Sequence, residues 1–308
     1  MKRILLDCDP GIDDALAIGL AHGSPELEIA GLTTVAGNVE LEHTTANALK
    51  LADFYGIDAP IAAGADRPLV RDRLTAKHVH GPTGLGDAVL PEPESKPIPD
   101  HAVDFIIDTL AEAPGQISLV AVGPLTNIAL ALRKEPRIAR WAREFVVMGG
   151  SYTRGNVTPA AEFNVHADPE AAAVALGAPW ETVLIGLDLT TQARATGEVR
   201  ARFAALGRLD RDLLTPCLDA FAGPDARRLG PALHDACAVA YAIAPHLFTT
   251  RPAHVDVETT GRFTAGMTVT DFNAAEKTTR VATELDQAPF WDLVTDALGR
   301  VAERLPAG

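Results

Sequence analysis

The chain of 308 residues is poor in cysteine, with Cys8, Cys217 and Cys237 only. An odd count at such distant spacings builds neither a disulfide framework nor a thiolate zinc motif. Each cysteine therefore reads as a small buried apolar residue. Positive charge is also scarce: 27 Lys and Arg stand against 41 Asp and Glu, a formal net charge of -14. That balance argues against a nucleic-acid backbone or an anionic membrane as partner, and leaves a neutral small molecule or a bound cation open. No apolar run is long enough to span a bilayer. After Lys2-Arg3 only Ile4 to Leu6 precede the first acid, too short for a signal-peptide core, so the expected location is cytoplasmic. Internal repeats, low-complexity tracts and linkers are missing, and residues 1–308 read as a single domain.

What the chain does have is acid concentrated in one place. Asp7, Asp9, Asp13 and Asp14 fall within Ile4-Leu5-Leu6-Asp7-Cys8-Asp9-Pro10-Gly11-Ile12-Asp13-Asp14. The apolar start reads as a buried strand, Pro10-Gly11 as a sharp turn, and Ala15 to Ala21 as a helix. Such a turn gathers several carboxylates at one end of a sheet, where like charges repel unless a proton or a cation intervenes. Helix capping explains one or two acids at this position, not four. All-oxygen donors suit a hard ion, calcium or magnesium, rather than zinc.

Strand and helix patterns alternate through the rest of the chain. Glu28 to Val35, Ile117 to Val122, Phe145 to Met148 and Val183 to Leu187 read as strands, with helices at His43 to Tyr55 and Ile128 to Arg133. This predicts an α/β fold with an open, mostly parallel Rossmann-like sheet flanked by helices. Gly261 to Asp271 predicts a small edge hairpin, and Phe290 to Val301 an amphipathic closing helix. Ligands of such sheets bind beyond the carboxyl ends of the strands. Those ends carry Asp7 and Asp9, Asn38, Thr126 and Asn127, and the residues after Gly150. Residues 67–99 and 204–231 break the rhythm and are expected to be loops over the site.

Further patterns follow in order: Thr33-Thr34-Val35-Ala36-Gly37-Asn38, His78-Val79-His80-Gly81, Gly123-Pro124-Leu125-Thr126-Asn127, Met148-Gly149-Gly150, Asn156 with Ala161-Glu162-Phe163-Asn164, and His234-Asp235. Together with Asp7 to Ala15 they make the chain resemble the nucleoside hydrolases, the inosine–uridine-preferring N-ribohydrolase family. The resemblance spans nearly the whole chain and is weakest at residues 193–230. It implies the nucleoside hydrolase fold, a homodimer or homotetramer, and calcium-dependent hydrolysis of the N-glycosidic bond of small-molecule ribonucleosides, a step of nucleoside salvage. It further implies a calcium ion, Ca2+, held by Asp9, Asp14, the Thr126 carbonyl and Asp235. Asp9 is then the general base on a water activated by the metal, and His234 gives a proton to the departing base.

By the same resemblance Asp13 and Asn164 bind the 2′- and 3′-hydroxyls, and Asn156 and Glu162 reach the 5′ end. Asn38 steadies the acids, and His80 faces the base. Glu162 and Asn164 flank Phe163, so an extended segment points both to one face. A site that hydrogen-bonds sugar hydroxyls penalises deoxyribonucleosides. Phe221 is the only aromatic residue between residues 204 and 230, which tilts the expectation slightly from purine toward pyrimidine bases. Arg227 and Arg228 read equally as base contacts or as a solvated face.

Two other readings compete. Asp7-x-Asp9 after a strand also resembles the haloacid-dehalogenase-like phosphatases. Those expect Gly then Thr or Val where this chain has Pro10-Gly11-Ile12, and they leave Asn156, Glu162, Asn164 and His234-Asp235 unexplained. A calcium-stabilised nucleoside-binding protein without turnover is signalled by loss of Asp9 or His234, and both are present.

Overall fold

The computed structural model describes residues 1–221 and 228–305. Nine strands form one sheet: β1 (Lys2–Cys8), β2 (Leu27–Thr34), β3 (Ile61–Ala63), β4 (Ile117–Ala121), β5 (Phe145–Met148), β6 (Thr182–Ile185), β7 (Phe248–Val257), β8 (Thr268–Asp271) and β9 (Thr279–Leu285). Their order is β3-β2-β1-β4-β5-β6-β9-β7-β8. All neighbours from β3 to β9 are parallel; β7 runs antiparallel to β9 and to β8. The fold is therefore the expected mostly parallel α/β sheet with an edge hairpin. Only β8 of that hairpin lies within Gly261 to Asp271; its long arm is β7.

β1 shows why the sheet is covered on both faces. Side chains alternate along a strand, so Ile4, Leu6 and Cys8 join one core cluster while Leu5 joins the other. The first cluster includes Ile12, Leu16 and Leu20 of the helix Ile12–Gly23, with Leu298 and Val301 of the closing helix Gln287–Arg304. The second includes Ile128 and Leu132 of the helix Thr126–Lys134, with Ile106 and Leu110 of the helix Ala102–Glu112. All three cysteines are free and buried, as the sequence predicts. Among the described residues no helix is long and apolar enough to cross a membrane.

The strand order reverses direction between β1 and β4, and the crevice at such a switch point is where open α/β sheets bind ligands. Of the two expected loops, residues 67–99 hold only the short helix Lys77–His80, whereas residues 204–220 are largely helical. The charged helical pattern there formed helix, and among the described residues of the stretch Phe221 alone borders the crevice.

Candidate active site

The turn after β1 folds back on itself through its own acids. Asp14 accepts hydrogen bonds from the backbone N–H of Asp9 at 3.3 Å and of Gly11 at 2.8 Å. Asn38, just beyond β2, closes the cluster. Its N–H donates to Asp9 Oδ2 at 2.7 Å, and its Nδ2 reaches the Asp9 carbonyl and Asp14 Oδ2, each at 3.2 Å. Behind them Asp7 Oδ1 accepts from Thr33 Oγ1 at 2.6 Å and from Asn127 Nδ2 at 2.8 Å. Glycines make this closeness feasible: a Cβ on Gly37 would stand 2.1 Å from Asp9 Oδ2.

Asp13, Asp14 and Asp235 present one carboxylate oxygen each, all within 4.8 Å of one another. Asp235 arrives on the first turn of the helix His234–Ile243. Asp9 lies against this group, fully buried, and its Oδ1 has no partner among the described residues. None of the ion pairs among the described residues involves these four acids. Their carboxyls respond as buried like charges do. Burial first, then the charge of Asp14, raises Asp9 well above the usual carboxylate range and pushes Asp13 up to about 7. Burial raises Asp14 to about 6, against the N–H bond from Gly11. Asp235 is raised by burial, then by Asp13, Asp14 and Asp9. A hard divalent cation fits this donor set, since it supplies the missing positive charge and uses only oxygen ligands.

Thr126 departs from its expected place. Its hydroxyl donates to Asp168 at 2.7 Å, and it is the first residue of the helix Thr126–Lys134. A helical carbonyl points down the axis toward the residue four further on, away from the strand ends. Val122 instead borders the cavity at the end of β4, its N–H bonded to the Asp7 carbonyl at 2.8 Å. Its own carbonyl accepts from Asn164 Nδ2 at 2.8 Å.

Above the acids opens a cavity of about 610 Å³. Asp13, Asn38, His80, Asn156, Glu162, Asn164, His234 and Asp235 all border it, so the residues assigned to the sugar, the base and part of the metal set meet at one place. Asp9 and Asp14 lie beneath its floor and are fully buried. The segment carrying Glu162 and Asn164 is not extended, because a helix begins at Phe163. Glu162 caps it, accepting from the N–H groups of Asn164 and Val165 at 3.0 and 3.2 Å, and also from Gly150 at 2.9 Å. Asn156 Oδ1 accepts from Phe163 N–H at 3.0 Å. Asp188, after β6, was not singled out by sequence; it accepts from Ser151 Oγ at 3.0 Å and Tyr152 N–H at 2.7 Å and so tethers the loop beside Asn156.

Two histidines border the cavity. His80 Nδ1 accepts the N–H of Ile12 at 3.1 Å, so the neutral ring carries its proton on Nε2. Burial, then the neighbouring His234, pushes the His80 imidazole down to about 3. Phe221 meets His80 edge-on at 5.8 Å between ring centres. His234 is half-buried, and burial, then the charge of Arg194, pushes it down to about 4. Arg228 borders a separate hollow with Arg200 and Asp219; Arg227 lies outside the described residues.

The family model described as inosine-uridine preferring nucleoside hydrolase matches residues 4–292. The inosine-uridine preferring nucleoside hydrolase of Crithidia fasciculata is 46% identical over 98% of this chain and 99% of its own. The non-specific ribonucleoside hydrolase RihC of Escherichia coli O1:K1 / APEC is 44% identical over 96% of this chain and 97% of its own. Among solved structures, the purine-preferring ribonucleoside hydrolase from Gardnerella vaginalis superposes with a TM-score of 0.92 at 34% identity, covering 98% of this chain and 99% of that one. With sequence and fold in agreement from β1 to the closing helix, the chain belongs to the inosine-uridine preferring nucleoside hydrolase family, enzymes that cleave the N-glycosidic bond of ribonucleosides.

Proposed function

We propose that the chain hydrolyses ribonucleosides to ribose and free base with calcium among Asp9, Asp14 and Asp235, Asp9 as general base, and His234 assisting base departure. The observation that carries this is the buried Oδ1 of Asp9, without a partner among the described residues and set among further buried carboxylates under the cavity. Val122, rather than Thr126, is the residue whose carbonyl is suited to complete the oxygen shell. When bound, calcium supplies charge that makes a neighbouring water more acidic.

Asp9 Oδ1 accepts a proton from that water, whose oxygen bonds to C1′ as the C1′–N bond breaks. The bond's electron pair leaves with the base, and His234 steadies it with a ring N–H. Positive charge building on the ribosyl ring is favoured by the surrounding carboxylates. Asp13 and Asn164 hold the 2′- and 3′-hydroxyls, with Asn156 and Glu162 toward the 5′ end. Glu162 spends its carboxylate on three backbone N–H groups, so its part is chiefly to fix Asn164.

Pyrimidine nucleosides are slightly favoured, because Phe221 offers one ring, edge-on to His80, beside the space for the base. Relatives named for inosine and uridine, for no particular base and for purines argue for a broad range around that preference. Assembly as a homodimer or homotetramer belongs to the same proposal.

Calorimetric titration of calcium into chelator-treated protein tests the site. One site of binding that disappears in Asp14→Asn supports the proposal. Heat-free titration of the wild type would sink it.

A further inference from the structure

We propose that Thr190 is a positioning residue that holds His234 with its proton on Nε2, aimed at the departing base. This rests on the assignment of His234 to base departure. Thr190 Oγ1 lies 2.7 Å from His234 Nδ1. Thr190 is fully buried, and its hydroxyl has no other partner among the described residues. A hydroxyl has one proton to give, and a buried donor left without an acceptor is destabilising. Among the described residues its only hydrogen-bond partner is Nδ1, which can accept only when it carries no proton. The neutral ring then bears its hydrogen on Nε2, the nitrogen left for the cavity that His234 borders. With the opposite tautomer Nδ1–H donates to Oγ1, the buried hydroxyl hydrogen is left without an acceptor among the described residues, and a bare Nε2 faces the electron pair leaving with the base.

The backbone around both residues fixes this pairing. Leu187 N–H donates to the Gly150 carbonyl at 2.9 Å and Thr190 N–H to the Gly186 carbonyl at 3.0 Å, which anchors the turn carrying Thr190 to the end of β5. The chain that follows pairs antiparallel with the chain leading into His234, Arg194 opposite Ala232. Its bonds are Ala195 N–H to the Pro231 carbonyl at 2.8 Å and Leu233 N–H to the Ala193 carbonyl at 3.0 Å. Thr190 and His234 are thus brought together by a short ladder of backbone bonds. His80, which also borders the cavity, reaches the same tautomer through the N–H of Ile12.

The step assisted is loss of a poor leaving group, so the test compares leaving groups. Thr190→Val keeps the shape and removes the hydroxyl; Thr190→Ser restores it. For uridine and inosine, kcat of Thr190→Val is expected to fall roughly 10- to 100-fold, part of the 10²–10⁴ that acid–base groups contribute. KM is expected to stay within about twofold, since a tautomer change alters an interaction of the transition state. With p-nitrophenyl riboside, whose leaving group departs as a stable anion, the loss is expected to be far smaller, and Thr190→Ser is expected to recover most of the nucleoside rate. Heteronuclear NMR of the imidazole nitrogens in the unmodified protein is expected to show His234 bare at Nδ1 and protonated at Nε2. Equal losses on both substrate classes, full uridine turnover by Thr190→Val, or an Nδ1-protonated His234 would each overturn the inference. Wild-type protein inert toward nucleosides and p-nitrophenyl riboside alike would instead overturn the hydrolase proposal, whatever tautomer the NMR reports.

Discussion

The two carboxylate oxygens of Asp9 stand in different surroundings. Oδ2 is tied to the N–H of Asn38, while Oδ1 is buried without a partner among the described residues. Asp9→Ala is expected to lower kcat by about 10²–10⁴ while the circular dichroism spectrum stays that of the native fold. Because Asp9 is raised by burial and by Asp14, removing it also relieves repulsion. The metal-free variant is therefore expected to melt no lower than metal-free wild type near neutral pH; full activity in Asp9→Ala would sink the mechanism. Gly37 gives a second residue-scale check. A methyl there would meet Asp9 Oδ2 at 2.1 Å, so Gly37→Ala is expected to lose activity and about 1–3 kcal/mol of stability by overpacking. Denaturant midpoints measure the second effect, and an unchanged midpoint with unchanged kcat would show that Asp9 has room to move.

At the scale of elements, strand ends bring the chemistry together and helix starts lock it. Glu162 is the clearest case, capping the helix Phe163–Ala167 and also holding Gly150 at the end of β5. Glu162→Ala leaves three backbone N–H groups without that acceptor and is expected to cost about 1–3 kcal/mol. Urea unfolding measures it; a loss of KM alone, with no stability change, would make Glu162 a pure ligand. The strand-turn-helix around Asp7 to Asp14 was legible in the sequence because its determinants are local: an apolar run, Pro10-Gly11, then helical spacing. A carbonyl donor is harder to read. A backbone oxygen has no side-chain signature, and its direction depends on whether the helix has already begun, which is the ground for proposing Val122 over Thr126. Thr190 and Asp188 were missed for a related reason: Thr190 meets His234 through the pairing of residues 193–195 with 231–233, and Asp188 meets Ser151 and Tyr152, partners remote in sequence in both cases. β7 escaped because Pro252 interrupts its pattern. It is tolerated where β7 pairs with β9 alone, before β8 joins at His254.

At the scale of the whole molecule, the sheet gathers buried acids whose charged forms are disfavoured unless a proton or a cation neutralises them. Burial pushes the Asp7 carboxyl up to about 7, Asp13 stands at about 7 and Asp14 at about 6. An acid whose folded pKa is raised binds more protons folded than unfolded between the two pKa values, so stability falls as pH rises across that window. Chelator-treated protein is therefore expected to melt lower at pH about 8 than at pH about 5, the loss running from about 4 to about 7, where unfolded and folded carboxyls titrate. Added calcium is expected to restore the melting temperature at the higher pH by binding the folded state alone. A chelated protein that grows more stable over the same range would show that these acids are compensated by other means.

The most direct measurement is release of free ribose from uridine, cytidine, inosine and adenosine by purified protein, with calcium and after chelation. The account predicts calcium-dependent ribose from these nucleosides, with the pyrimidine pair modestly ahead. No ribose from any of them, in protein shown to hold calcium, would contradict the central claim and leave a nucleoside-binding protein in its place.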